Sequence, residues 1–79
     1  MKQFIYSLRD TKADAFAQPF FAPNRSVAIR NYLAASEDPA SIISRFPGDF
    51  SLYEIGLFDD NTGIIESHPL PQLISPTQG

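Results

Sequence analysis

The chain has 79 residues, six basic and nine acidic side chains for a net charge of −3, 43% hydrophobic residues and no cysteine. This is enough for one small domain. It excludes disulfides and thiolate metal sites, and nucleic-acid affinity resting on net charge alone. No apolar run approaches the roughly 18–20 residues that cross a bilayer, and Met1–Tyr6 lacks the apolar core and cleavage site of a signal peptide, so a soluble, unprocessed chain is expected.

Residues 3–8 alternate, with Phe4, Tyr6 and Leu8 on one face and Gln3, Ile5 and Ser7 on the other, and predict a strand. Residues 9–22 follow neither helical nor strand period and read as a long loop or a partly extended segment, polar at Asp10-Thr11-Lys12 and aromatic at Phe16, Phe20 and Phe21. Pro23 blocks a helix from running through, and Asn24 or Ser26 can cap one that starts there. Within that helix Ala28, Ile29, Tyr32 and Leu33 share the face expected to be buried, while Val27, Arg30, Asn31 and Ala34 point away.

Asp38-Pro39 reads as the start of a short second helix or turn through Ser41–Arg45, which Pro47-Gly48 ends. Residues 52–58 form a strand, with Leu52, Glu54, Gly56 and Phe58 on one face and Tyr53, Ile55 and Leu57 on the other. Apolar groups on both faces predict a covered strand. Asp59-Asp60-Asn61-Thr62-Gly63 is a turn leading into Ile64-Ile65, hence a hairpin. The expected fold is α+β, in the order β-α-β-β. It comprises a three-stranded mixed sheet with one main helix on one face and a short second helix or turn, the first two strands being parallel through a right-handed crossover. Residues 1–68 make the compact domain, and 69–79, rich in proline, a flexible tail.

Charge is unevenly placed. All six bases, Lys2, Arg9, Lys12, Arg25, Arg30 and Arg45, fall within the first 45 residues against four acids, a net +2. Beyond residue 45 there are five acids and no base, a net −5. A polyanion, if bound, is bound by the first half.

Three segments taken together resemble the small nonstructural protein of gokushoviruses, single-stranded DNA phages of the Microviridae. They are a strand running into Asp10-Thr11-Lys12-Ala13-Asp14-Ala15-Phe16, then Pro19-Phe20-Phe21-Ala22-Pro23 leading to Ala28-Ile29-Arg30, and then Asp38-Pro39 followed by the run from Phe46 to Gly63. The resemblance covers residues 2–66. It implies a protein made in the cytoplasm of the infected bacterium, absent from the mature virion, and described in that family as DNA-binding or acting in single-stranded DNA synthesis and packaging. The family's tails are often basic. This one has no base, so binding through the tail is not expected here.

The residues themselves offer one constellation for such a role. Cations hold the phosphates of a single strand while aromatic rings stack on its bases, each worth roughly 1–3 kcal/mol. The candidate set is Lys2, Arg9, Lys12, Phe20, Phe21, Arg25, Arg30 and Arg45. The plainer reading has Phe20 and Phe21 filling the core beneath a loop, with the cations solvated. Two adjacent rings rarely both point inward, which leaves one free. Arg30 lies in helical phase away from Ile29 and Leu33, and Arg25 lies near a helix start, where free amides favour anions.

Asp49, Glu54, Asp59 and Asp60 read as turn and strand acids rather than metal ligands. His68 stands alone beside Pro69, and no catalytic motif is present. No enzyme activity, cofactor, metal or membrane partner is expected. The leading expectation is a nonenzymatic protein that binds single-stranded DNA in genome synthesis or packaging. The alternative is an adaptor for phage or host replication or assembly proteins that never touches DNA. A homodimer, compatible with either, would double the basic surface.

Overall fold

The computed structural model describes residues 1–74. Strand β1 (Lys2–Asp10) lies at the centre, with β2 (Ala15–Phe16) and β3 (Phe20–Ala22) along one edge and β4 (Phe50–Asp59) along the other. β5 (Ile64–Ile74) flanks β4, giving the order β2-β1-β4-β5 with β3 also on β1. All pairings are antiparallel, and the five strands curl into a half-barrel around one main helix, α1 (Arg25–Glu37). A one-turn helix, α2 (Ile42–Arg45), and a 3₁₀ turn over Pro47–Asp49 follow.

The three-stranded mixed sheet expected from the sequence is therefore corrected to five antiparallel strands. The reason lies in residues 11–22, where the partly extended alternative holds: Ala15–Phe16 and Phe20–Ala22 pair with β1. Asp10 turns the chain by accepting from the amides of Lys12 and Ala13. Asp14 takes a left-handed φ of 56°, a conformation that aspartate tolerates better than most residues. β2 and β3 then run back along β1, placing Ala22 opposite Phe4. From there α1 rises about 20 Å over its 13 residues and returns the chain to the far end of β1. There the Thr11 amide donates to the Asp49 carbonyl over 2.9 Å, and Phe50 pairs with Asp10. A strand that begins beside the end of its neighbour runs antiparallel to it.

The Asn24 side chain caps α1, accepting from the Val27 amide at 2.9 Å. Asp38 closes α1 rather than opening α2, and Ser41 caps α2. The buried face of α1 is Ala28 and Tyr32, flanked by Val27, Ile29 and Ala35. Leu33, expected inside, is exposed. Between this face and the inner face of the sheet lies the core of Tyr6, Ala22, Ala28, Tyr32, Ile43, Leu52 and Ile74.

The expected hairpin forms as β4 and β5, with Gly63 at φ 74° and its amide donating to the Asp59 carbonyl. β5 runs past the boundary expected at residue 68. Gln72 pairs with Glu54, and Ile74 enters the core. Pro69 and Pro71 sit in a bulge where residues 68–71 face the single residue Ile55. An unpaired bulge on an edge strand accommodates proline, which has no amide to donate. The remainder of the expected tail, residues 75–79, lies outside the described residues.

Candidate nucleic-acid interface

A register shift at Ile55 decides which side chains share a surface. Ile5 pairs with Gly56 but Tyr6 pairs with Glu54, so Ile55 is the extra residue of a bulge. The bulge inverts the alternation expected along β4. Leu57, opposite Phe4, turns to the inner side. Phe58, opposite Gln3, turns to the outer side away from α1, where Tyr53 already lies opposite Ser7.

Two aromatic patches result on the outer face. In one, Phe16 meets Tyr53 edge-on with ring centres 5.4 Å apart, and the Arg9 guanidinium lies 5.4 Å from the centre of the Phe16 ring. Arg9 is also ion-paired with Asp14. In the other, Phe21 meets Phe58 edge-on at 5.7 Å. Phe16 and Phe21 are 42% and 48% exposed. The patches follow β1 from Arg9 to Ile5, about 13 Å along the strand. Beside the second patch is a groove of about 400 Å³, lined by Ile5, Phe21, Ile55, Ile65, His68 and Pro71 among others.

On the inner side of the same strands a carboxylate is buried. The Glu54 side chain is 5% exposed, and its Oε1 accepts from Arg25 Nε at 3.2 Å. Its Oε2 lies 2.7 Å from His68 Nε2, and Arg25 also donates to the Gln72 side chain at 3.3 Å. Burying a carboxylate is costly unless donors surround it, and these contacts supply them. The Tyr6 hydroxyl is buried nearby without a well-formed hydrogen bond. Burial, followed by the Glu54 charge and a polar contact with it, and opposed by Arg25, pushes Tyr6 up to about 12. Burial also raises Tyr32.

The residues singled out in the sequence divide among several places. Phe20 is not on the outer face; it stacks on Tyr6 at 5.8 Å and packs against the core. Phe21 is the outward ring of the pair. Arg25 is engaged by Glu54 and Gln72, and Arg30 is on the exposed side of α1. Lys2 begins β1 and lines a pocket with Asp59 and Glu66. Lys12 lines another with Phe46 and Asp49, and Arg45 lies over the Phe46 ring at 5.9 Å. Arg9, Lys12 and Arg45 therefore gather near one end of the sheet, and Lys2 stands roughly 23 Å along β1 from Arg9.

Sequence reasoning left Tyr53, Phe58, Glu54 and His68 out of the site and did not carry Phe16 into it. The adjacent short runs of aromatics at 16–21 and 50–58 were the available signal. Among the described residues no cluster of three or more His, Cys, Asp or Glu could hold a metal ion, and no helix is long and apolar enough to cross a membrane.

The model of the phage ORF5 protein family matches residues 3–78. The chain belongs to the phage ORF5 protein family. Membership makes it a phage protein and assigns it no activity. Neither the curated proteins nor the solved structures provide a match.

Proposed function

We propose that this phage ORF5 protein is a nonenzymatic, gokushovirus-type protein that binds single-stranded DNA on the outer face of its sheet during genome synthesis or packaging in the host cytoplasm. The observation that carries the reading is the pair of exposed rings, Phe16 and Phe21, on a face that also presents Arg9. Bases stack on rings without regard to sequence, and cations track the backbone. The sequence resemblance to gokushovirus nonstructural proteins supports the same reading.

Anisotropy of a labelled oligonucleotide tests it. Micromolar or tighter binding that weakens as salt rises is expected. An oligonucleotide that stays free at micromolar protein, or binds indifferently to salt, removes the proposal.

The adaptor reading is favoured by a different feature. β5 is an edge strand with Ile64, Leu70 and Leu73 exposed, and an edge offers backbone groups to a partner strand. A stoichiometric protein partner that persists after nuclease treatment would support that reading.

A further inference from the structure

His68 joins the two surfaces described above. One ring nitrogen, Nε2, is held at 2.7 Å by buried Glu54, while the ring lines the outer groove beside Phe21. A carboxylate only accepts, so Nε2 is the donor. Nδ1 makes no hydrogen bond among the described residues and is the polar atom left for whatever fills the groove. The second contact that Glu54 makes, to Arg25, fixes the carboxylate and through it the ring. Ligand sites have this character: mostly apolar walls with a few polar groups held in place.

The lining sets how an anionic occupant would fare. The pockets beside Lys2 and Lys12 carry carboxylates, Asp59 and Glu66 in one, Asp10 and Asp49 in the other. Among the described residues the groove has none on its lining, although the chain carries −3 overall. Its polar side chains are His68 and Ser67. An anionic strand therefore meets less repulsion here than at either of those pockets; the pocket lined by Leu8, Phe20, Asn31, Tyr32, Ala35 and Ile43 also lacks carboxylates, but it is smaller, about 230 Å³, and none of its rings is among the exposed ones. The space, about 400 Å³, is within the range of small-ligand sites, roughly 300–1,000 Å³.

We propose that the groove is a nucleobase site, in which one unstacked base of a DNA single strand packs on Phe21 and hydrogen-bonds to Nδ1 of His68. Glu54 and Arg25 serve as positioning residues for that histidine. The proposal rests on the single-strand reading above and adds to it a specific place and a specific polar contact.

The test uses the full chain and an iododeoxyuridine-substituted thymidine oligonucleotide of about 12 nucleotides, within the span of a small single-strand site. Binding is followed by anisotropy, and photocrosslinks are mapped by mass spectrometry. Crosslinks should fall on the peptides containing Phe21 or His68. Phe21→Leu, at an exposed ring, should weaken binding roughly 5- to 150-fold. His68→Gln, whose amide can still donate to Glu54, should weaken it roughly 2- to 13-fold, with circular dichroism confirming an intact fold. Binding with crosslinks elsewhere and no effect of Phe21→Leu overturns the base site while leaving single-strand binding standing. Absence of oligonucleotide binding by the wild-type chain overturns both.

Discussion

Gly56 is where the packing of β4 against β5 is least forgiving. A Cβ built on it would lie 2.4 Å from the Glu66 carbonyl oxygen and 3.3 Å from both the Glu66 carbonyl carbon and the Ser67 Cα. Those are backbone atoms of the paired strand, so no rotamer change relieves the contact. β5 would have to retreat by about 0.6 Å merely to reach 3.0 Å, a separation that real contacts hardly ever fall below. Overpacking of this kind costs about 1–3 kcal/mol. A domain of 79 residues has a stability of roughly 4–12 kcal/mol, so the middle of the overpacking cost, about 2 kcal/mol, is a sizeable share of it and lowers Tm by about 8–16 °C. Gly48→Ala is the control, because nothing lies within 4 Å of its added Cβ and its φ is not left-handed. It should leave Tm unchanged or raise it slightly. Thermal and urea unfolding followed by circular dichroism measure both. If Gly56→Ala melts with the wild type, the register assigned to β4 and β5 around the bulge is wrong.

Other outcomes follow from the same geometry. Tyr6 is raised from 10.0 to about 12 in the fold, so between those values the unfolded chain loses its phenolic proton first. Stability is retained below pH 10 and falls as pH rises towards 12; alkaline unfolding should show this slope, and Tyr6→Phe should flatten it. Asn24→Ala removes the cap on the Val27 amide and should cost about 1 kcal/mol, read as a fall in the urea midpoint with m unchanged. Arg9→Ala should weaken single-strand binding alike for all sequences and make the slope of log K against log salt shallower by about 0.7, as expected for one lost phosphate contact.

Much of this architecture was legible from periodicity. β1 declared itself through Phe4, Tyr6 and Leu8, α1 through Pro23-Asn24, and the final hairpin through Asp59–Gly63. β2 and β3 did not, because pieces of two and three residues are too short to show a period. Losing them reversed the direction inferred for β4. The bulge at Ile55 hid the outer face for a related reason: one extra residue moves Phe58 to the side opposite the one alternation assigns it. The Glu54 network was out of reach of local patterning, since Arg25 and His68 lie 29 and 14 residues away along the chain. The two adjacent phenylalanines were legible as one inward and one outward ring, but which was which depended on the pairing of β3 with β1.

A DNA single strand is proposed to lie across the outer aromatic face. Backbone amide chemical-shift mapping during titration with a thymidine oligonucleotide tests it most directly. Salt-sensitive shifts are expected to concentrate at Ser7, Phe16, Phe21, Tyr53 and Ser67, with the helix α1 little changed. Shifts confined to α1 or to the outer edge of β5, or no shifts at saturating oligonucleotide, would contradict it.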